Sequence, residues 1–168
     1  MSMETIATLR RMSREQLSEL ILSDASKVAV VDVRDDDHVG GHIHGSTHVP
    51  SSTLDYRIPE IVRVLADRQI VVFHCALSQQ RGPTAALRYM RERENKVKKG
   101  ELGSTSERPE LGVKDGDVQK VLSNGKDQEI YVLDKGFVGW QEKYDLALSS
   151  IFKRLTNILL IGMALTSD

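Results

Sequence analysis

The chain has 168 residues, 40% of them hydrophobic and 28% charged, which fits one globular domain with its own core rather than two. Its net charge of −1 indicates neither a nucleic-acid partner nor an acidic membrane partner. The single cysteine excludes an internal disulfide, a zinc site built on cysteines and an internal resolving thiol. Any redox cycle at this cysteine therefore needs an external thiol.

The first predicted element is a short amphipathic helix that begins after Ser13. Ser13 and Gln16 have the spacing of a capping box, and apolar residues recur behind them at Leu17, Leu20 and Ile21. The residues before Ser13 lack the apolar core of a signal peptide. A reducing compartment, the cytosol or the nucleus, is therefore predicted for a protein with a working thiolate.

A buried parallel strand is predicted over residues 27–34, which are almost continuously apolar. Asp32 and Arg34 stand at its carboxyl end, where we expect them to anchor loops, with Asp32 as a supporting residue of the site. Four histidines and three aspartates follow between positions 35 and 48, a composition that could suggest a metal site. Their spacing contains no helical i,i+4 pair, so no metal ion is predicted.

The middle of the chain predicts two strands and two helices. A short strand ends at Val49-Pro50, and a helix follows over residues 58–68 with Pro59 at its start. The apolar run over residues 70–73 predicts a buried strand. Good helix formers follow Gly82-Pro83, so a second helix is predicted from there to about Arg93.

The loop between that strand and that helix begins with Cys75 and ends with Arg81. Its five interior residues can curl so that their backbone N–H groups point at one centre, which makes an anion-binding nest at a helix N-terminus. These residues are Ala76, Leu77, Ser78, Gln79 and Gln80. Arg81 would add a planar fork that matches two oxygens of a tetrahedral oxyanion. The loop therefore predicts an oxyanion site.

Cys75 is the predicted nucleophile at this site, and His74 is a supporting residue. A helix N-terminus and a nearby cation both favour the thiolate form of a cysteine. A thiolate that faces a bound oxyanion can attack phosphorus or arsenic. The alternative for a lone cysteine at the end of a strand is a buried, inert thiol. The joint occurrence of the strand, His74, the spacing, Arg81 and the helix favours the catalytic interpretation.

The remaining residues predict the end of the domain and a tail. Residues 91–128, rich in Lys, Glu, Gly and Ser, predict a surface insertion in a catalytic domain that spans residues 1–145. The last core strand is predicted over 129–133. Asp134 and Lys135 then lie at the same sheet edge as the loop, as supporting residues. The tail 146–168 contains an apolar run, 158–165, that is too short to span a membrane. The tail would dock on the domain, pair with another chain or contact a membrane surface.

Two stretches resemble known families. The string H-C-A-L-S-Q-Q-R-G-P at 74–83 resembles the Cys-x5-Arg signature of the cysteine-based phosphatases, in which His precedes the cysteine. The string D-V-R at 32–34, followed by G-H-I-H-G-S at 41–46 and Pro50, resembles the hallmark of the rhodanese fold. The resemblance implies an α/β fold, a three-layer sandwich around a mostly parallel sheet. It also accounts for His42 as a structural residue near a glycine turn.

The loop is most similar to those of eukaryotic arsenate reductases and of small dual-specificity phosphatases built on the rhodanese fold. This resemblance implies a cysteine-dependent phosphatase, an arsenate reductase, or both. It implies no bound cofactor; glutathione or glutaredoxin would be the external reductant of an arsenate reductase. The alternative activity is sulfur transfer through a persulfide on Cys75. Rhodanese sulfurtransferases generally carry a loop one residue shorter, so the loop length argues against this alternative.

The chain departs from the phosphatase pattern in two ways. Gly82 follows the arginine where many cysteine phosphatases carry Ser or Thr, and the loop interior contains no acidic residue. No general acid can be named, which favours arsenate or esters with good leaving groups. A non-catalytic anion-binding module is a further alternative, although the presence of both Cys75 and Arg81 argues against it.

Overall fold

The computed structural model describes residues 5–102 and 128–144. Five parallel strands form one sheet in the order β1-β5-β4-β2-β3. The strands are β1 Arg11–Met12, β2 Val28–Asp32, β3 Thr47–His48, β4 Ile70–His74 and β5 Glu129–Leu133. Strands β2, β4 and β5 match predicted strands, and β3 lies where a short strand was predicted. The two-residue edge strand β1 was not predicted.

Alternating residues of the central strands face two separate cores. Val31, Val71 and Phe73 pack in the larger cluster with residues of the helices α2 (Leu54–Val64) and α3 (Arg81–Lys98). Val30 and Val72 pack on the opposite face with the helix α1 (Arg14–Asp24) and with a helix over residues 136–144, α4. Helices thus cover both faces, and the predicted α/β three-layer sandwich is confirmed.

Helix α1 confirms the predicted capping box. The Ser13 side chain accepts the backbone N–H of Gln16, and the Gln16 side chain accepts the backbone N–H of Ser13. Leu17 is fully buried beneath the sheet. Two helix N–H groups that would otherwise lack partners are therefore satisfied at the start of α1.

The predicted bounds of α2 were wrong by one turn at each end. The helix begins at Leu54 and ends at Val64, so Pro59 lies inside it rather than at its start. Leu54 is buried and lies four residues before the buried Ile58 on the same face. Burial of Leu54 extends the apolar face of the helix by one turn toward its N-terminus. The favourable free energy of this burial offsets the loss of the single backbone hydrogen bond that Pro59 cannot donate.

Helix α3 is longer than predicted and continues to Lys98, so residues 91–98 are helical rather than the start of a loop. Two ion pairs at helical spacing stabilise this exposed end: Glu92 with Lys96 at 3.8 Å, and Glu94 with Lys98 at 2.8 Å. The rest of the predicted insertion, from residue 103 to 127, and the predicted tail at 146–168 lie outside the described residues. Within the described ranges, no helix has the length and apolarity to cross a membrane.

Candidate active site

Cys75 lies at the carboxyl end of β4, the central strand of the sheet, immediately before the loop that leads into α3. Its side chain is 4% exposed. In an open parallel sheet, ligands bind outside the carboxyl ends of the strands. Helix α3 begins at Arg81, so its first N–H groups are at the loop that Cys75 opens. The structure thus brings Cys75, the loop and a helix N-terminus together.

The loop folds back over the Cys75 sulfur. The backbone N–H of Ser78 donates to Sγ of Cys75 at 3.2 Å, and Ser78 has a positive φ of 52°. A backbone amide that points at the sulfur stabilises a thiolate. The Ser78 hydroxyl is buried and has no hydrogen-bond partner among the described residues. Leu77, Gln79 and Gln80 are exposed. The interior of the loop is therefore polar and its apolar Leu77 faces outward.

Helix α4 holds the start of the loop from the other side. The N–H of Phe137 donates to the Cys75 carbonyl at 2.9 Å, and the N–H of Val138 donates to the Ala76 carbonyl at 3.0 Å. Because these carbonyls are engaged by α4, the first two peptide units of the loop are fixed in orientation. Gly136 makes this close approach feasible: a Cβ there would meet the carbonyl oxygens of Cys75 and Ala76 well inside van der Waals contact.

Gly136→Ala should destabilise the protein by about 3 kcal/mol, because the added methyl clashes with loop backbone and the residue has a left-handed φ of 56°. Gly100→Ala is the matched control: Gly100 has a φ of 72°, but nothing lies within 4 Å of its added Cβ. This control should cost about 1 kcal/mol. Urea unfolding compares the two variants. Equal losses would show that the packing of Gly136 against the loop does not matter.

Arg81 is held by two carboxylates that were not predicted as its partners. Its Nη1 donates to Oδ1 of Asp37 at 2.7 Å and its Nη2 to Oδ2 of Asp37 at 2.5 Å. Nη1 also donates to Oδ2 of Asp35 at 3.2 Å. Both aspartates follow β2, whose carboxyl end lies beside that of β4. The signal for them in the sequence is their position just after D-V-R, at the carboxyl end of a predicted buried strand.

These two carboxylates remain ionised. The hydrogen bonds from Arg81 lower the pKa of Asp37 to about 2. The Ser51 hydroxyl, more than Arg81, holds the pKa of Asp35 below its ordinary value. The hydrogen bonds to Asp37 and, to a smaller extent, to Asp35 raise the pKa of Arg81 above its ordinary value. Neither aspartate carries a proton at neutral pH, so neither is a general acid in this state.

Asp32 lies in a buried network behind the loop. Its carboxylate receives Nε of Arg34 at 3.0 Å and Nη2 of Arg34 at 2.7 Å, and both side chains are almost fully buried. Arg34 also stacks on Phe137, with 3.9 Å from Cζ to the ring centroid. Burial raises the pKa of Asp32, but the hydrogen bonds and charge of Arg34, together with smaller contributions from its surroundings, leave this pKa below its ordinary value. This network joins the end of β2 to α4.

His74 is fully buried beside this network. Its Nε2 has no hydrogen-bond partner among the described residues and lies 3.7 Å from Oδ2 of Asp32. Burial lowers the pKa of His74 to about 4, so the ring is neutral at neutral pH. Its Nδ1 lies 3.4 Å from the Cys75 carbonyl oxygen. His74 therefore contacts the backbone of Cys75, which places it as packing behind the loop.

The histidines after β2 stack on one another. The rings of His38 and His48 are 3.7 Å apart, and those of His38 and His42 are 5.8 Å apart. His48 is tied to the Arg34 carbonyl by Nε2 at 2.7 Å. Over residues 5–102 and 128–144, no three His, Cys, Asp or Glu side chains form a group that could hold a metal ion.

Asp134 and Lys135 lie beside the loop, on the side opposite Asp35 and Asp37 along the sheet order. With Arg11, they line a groove of about 330 Å³ that the loop residues Leu77 and Gln79 also line. Asp134 pairs with Arg11 at 3.7 Å. The structure thus places both predicted residues next to the loop, at the mouth of the site rather than at the sulfur.

The sequence of the chain is similar to those of known proteins. A Rhodanese-like domain model matches residues 13–143. The chain is 34% identical over 115 residues to the Dual specificity phosphatase Cdc25 of Arabidopsis thaliana. These aligned residues make up 68% of this chain and 62% of the Arabidopsis protein. The chain is 35% identical to Arsenate reductase 2.2 of Oryza sativa subsp. japonica over 68% of this chain and 70% of the rice protein.

Solved structures share the fold. Ygr203w, a yeast protein tyrosine phosphatase of the Rhodanese family, superposes with a TM-score of 0.56 and 26% identity over 80% of this chain and 85% of that one. The As-Sb reductase from Leishmania major superposes with a TM-score of 0.58 over 82% and 79% of the two chains; at 24% identity this likeness shows the fold alone. The chain therefore belongs to the Rhodanese-like domain family.

Proposed function

We propose that this protein is a cysteine-dependent enzyme that acts on tetrahedral oxyanions, as a phosphatase, an arsenate reductase, or both. The observation that carries the proposal is the loop geometry: Cys75 is buried at the end of the central strand, the N–H of Ser78 donates to its sulfur, and Arg81 follows Cys75 after five intervening residues. The relatives named as a dual specificity phosphatase and as an arsenate reductase support it.

In the phosphatase reaction, the Cys75 thiolate attacks phosphorus in line with the leaving group. The S–P bond forms, the P–O bond to the leaving group breaks, and the alkoxide or phenolate takes a proton from water. Water then hydrolyses the cysteinyl phosphate and restores the thiolate. The buried hydroxyl of Ser78, without a partner among the described residues, can donate to the thiolate or to an oxyanion oxygen.

The leaving group receives no proton from the two acidic side chains nearest Arg81, because the pKa of Asp37 is about 2 and that of Asp35 is lowered. Esters whose leaving group is a stable anion, such as aryl phosphates, therefore suit this site better than alkyl phosphates of serine or threonine. Arsenate suits it as well, because its hydroxyl leaves as water after protonation in solution.

In the arsenate reaction, Cys75 attacks arsenic and displaces water, which gives a Cys–arsenate adduct. Reduction to arsenite gives arsenic two electrons, and two thiol sulfurs lose them as they form a disulfide. The chain has one cysteine, so the second sulfur must come from outside. Glutathione fits this role, and glutaredoxin would reduce the resulting mixed disulfide in the cytosol or nucleus.

A paired assay on one preparation tests the proposal. Arsenate-dependent NADPH oxidation is followed with glutathione, glutaredoxin and glutathione reductase, and aryl-phosphate hydrolysis is followed beside it. Arsenate turnover well above ester hydrolysis would make the protein chiefly a reductase, and the reverse would make it a phosphatase. Thiosulfate-to-cyanide sulfur transfer without either activity would contradict the proposal and support the sulfurtransferase alternative.

A further inference from the structure

We propose that Asp37, assisted by Asp35, is a positioning residue that holds the Arg81 guanidinium by its outer edge and leaves its other edge for the oxyanion. The inference rests on the proposed function. A guanidinium has five N–H donors in a planar fork. The two carboxylates take two acceptor contacts on Nη1 and one on Nη2.

The donors that remain form a second fork. Nε and Nη2 lie along one edge of the guanidinium, and their N–H bonds point the same way. Within the described residues, Nε of Arg81 has no hydrogen-bond partner, and Nη2 has one N–H left over after Asp37. Two parallel donors match two oxygens of a phosphate or an arsenate. Asp37 and an oxyanion can therefore occupy Arg81 together, at different edges.

The carboxylates of Asp35 and Asp37 also accept hydrogen bonds from groups other than Arg81. Oδ1 of Asp37 accepts the backbone N–H of Asp35 at 3.0 Å. Asp35 accepts the Ser51 hydroxyl at 2.5 Å and the backbone N–H of Ser52 at 3.1 Å. The side chain of Arg81, on the first turn of α3, is thereby held by Asp35 and Asp37, and Asp35 is held in turn by Ser51 and Ser52. Such a support lowers the conformational entropy that Arg81 loses when an oxyanion binds.

Charge alone predicts the opposite effect for Asp37, and this difference makes the inference testable. Two carboxylates beside an anion site repel an oxyanion, so removal of a negative charge should tighten anion binding if Asp37 had no positioning role. Asp36 provides the matched control. It lies between the two carboxylates, its side chain is exposed and makes no contact with Arg81 in the described structure, and its change to Asn removes the same charge.

The test measures arsenate affinity by titration calorimetry in the Cys75→Ser protein, which lacks the nucleophile. Asp37→Asn in this background should weaken arsenate binding about tenfold, whereas Asp36→Asn should leave it within about twofold or tighten it. In an Arg81→Ala background, Asp37→Asn should no longer weaken binding. Equal or tighter binding in Asp37→Asn relative to Asp36→Asn would overturn the inference. An equal loss in the Arg81→Ala background would overturn it too, because Asp37 would then act without Arg81.

A second measurement separates this inference from the proposed function. The signal of the Nη2–H that Arg81 donates to Asp37, observed in the free protein labelled with ¹⁵N-arginine, should be resolved and exchange slowly with water. It should broaden or vanish in Asp37→Asn and persist in Asp36→Asn. If the Cys75→Ser protein binds no arsenate, the proposed function fails, and this signal alone decides whether Asp37 positions Arg81. An unchanged signal in Asp37→Asn would overturn the positioning role.

Discussion

Cys75→Ser should lower both arsenate turnover and aryl-phosphate hydrolysis by at least about 10³-fold. A serine hydroxyl stays protonated at neutral pH, and the neighbouring His74 cannot activate it, because its Nδ1 is directed at the Cys75 carbonyl and its Nε2 at Asp32. The amide of Ser78 would then face a hydroxyl instead of the cysteine sulfur. Steady-state kinetics on both substrates measure the loss.

The fold of Cys75→Ser should remain intact, so that loss of activity reports chemistry. Serine is slightly smaller than cysteine, and the site is 4% exposed, so a polar hydroxyl there should cost about 1–2 kcal/mol. Far-ultraviolet circular dichroism and a thermal melt check this. Substantial turnover of either substrate by the variant would show that another residue is the nucleophile.

Arg81→Ala should lower kcat/KM by about 10²–10³-fold, because the loop loses the guanidinium fork that we propose binds the oxyanion in the ground state and in the transition state. The loss has a second part. In the wild-type protein, carboxylate oxygens of Asp35 and Asp37 lie 3.2 Å and 2.5 Å from Arg81 nitrogens. Both carboxylates would remain ionised in the variant, without this cation beside them. Repulsion from these carboxylates should raise KM as well.

Arg88→Ala is the matched control for Arg81→Ala. Arg88 is on the same helix, is exposed and pairs with Asp55 on α2, away from the loop. Its loss removes the same charge and should change kcat/KM by less than about twofold. Arg81→Lys should recover little activity, because an ammonium offers no planar fork. Full activity in Arg81→Lys would mean that charge alone serves the site.

The local signals in the sequence predicted the elements that carry the chemistry. The run I-V-V-F became β4, and Gly82-Pro83 stands in the first turn of α3. The positions of Cys75 and Arg81 at the two ends of the loop could be predicted without knowledge of tertiary contacts, because one short strand-loop-helix unit contains both. The predicted last strand matches β5. These features depend on contacts between near neighbours in sequence, which periodicity and turn chemistry encode.

The features that were missed depend on contacts between distant residues. Asp37 and Arg81 are 44 residues apart and meet only because β2 and β4 are adjacent in the sheet. Gly136 shows its role only when α4 is packed against the loop. The early start of α2 follows from burial of Leu54. No local pattern encodes these, because each is set by the sheet order and by packing.

In the proposed reaction, Cys75 attacks the bound oxyanion and becomes covalently attached to it. The most direct measurement is acid quenching of the wild-type protein during turnover of an aryl phosphate, followed by peptide mass spectrometry. We expect a phosphoryl group on the sulfur of Cys75 at early times and none in the Cys75→Ser protein. A phosphoryl group on another residue, or turnover in which Cys75 remains unmodified at every time, would contradict it.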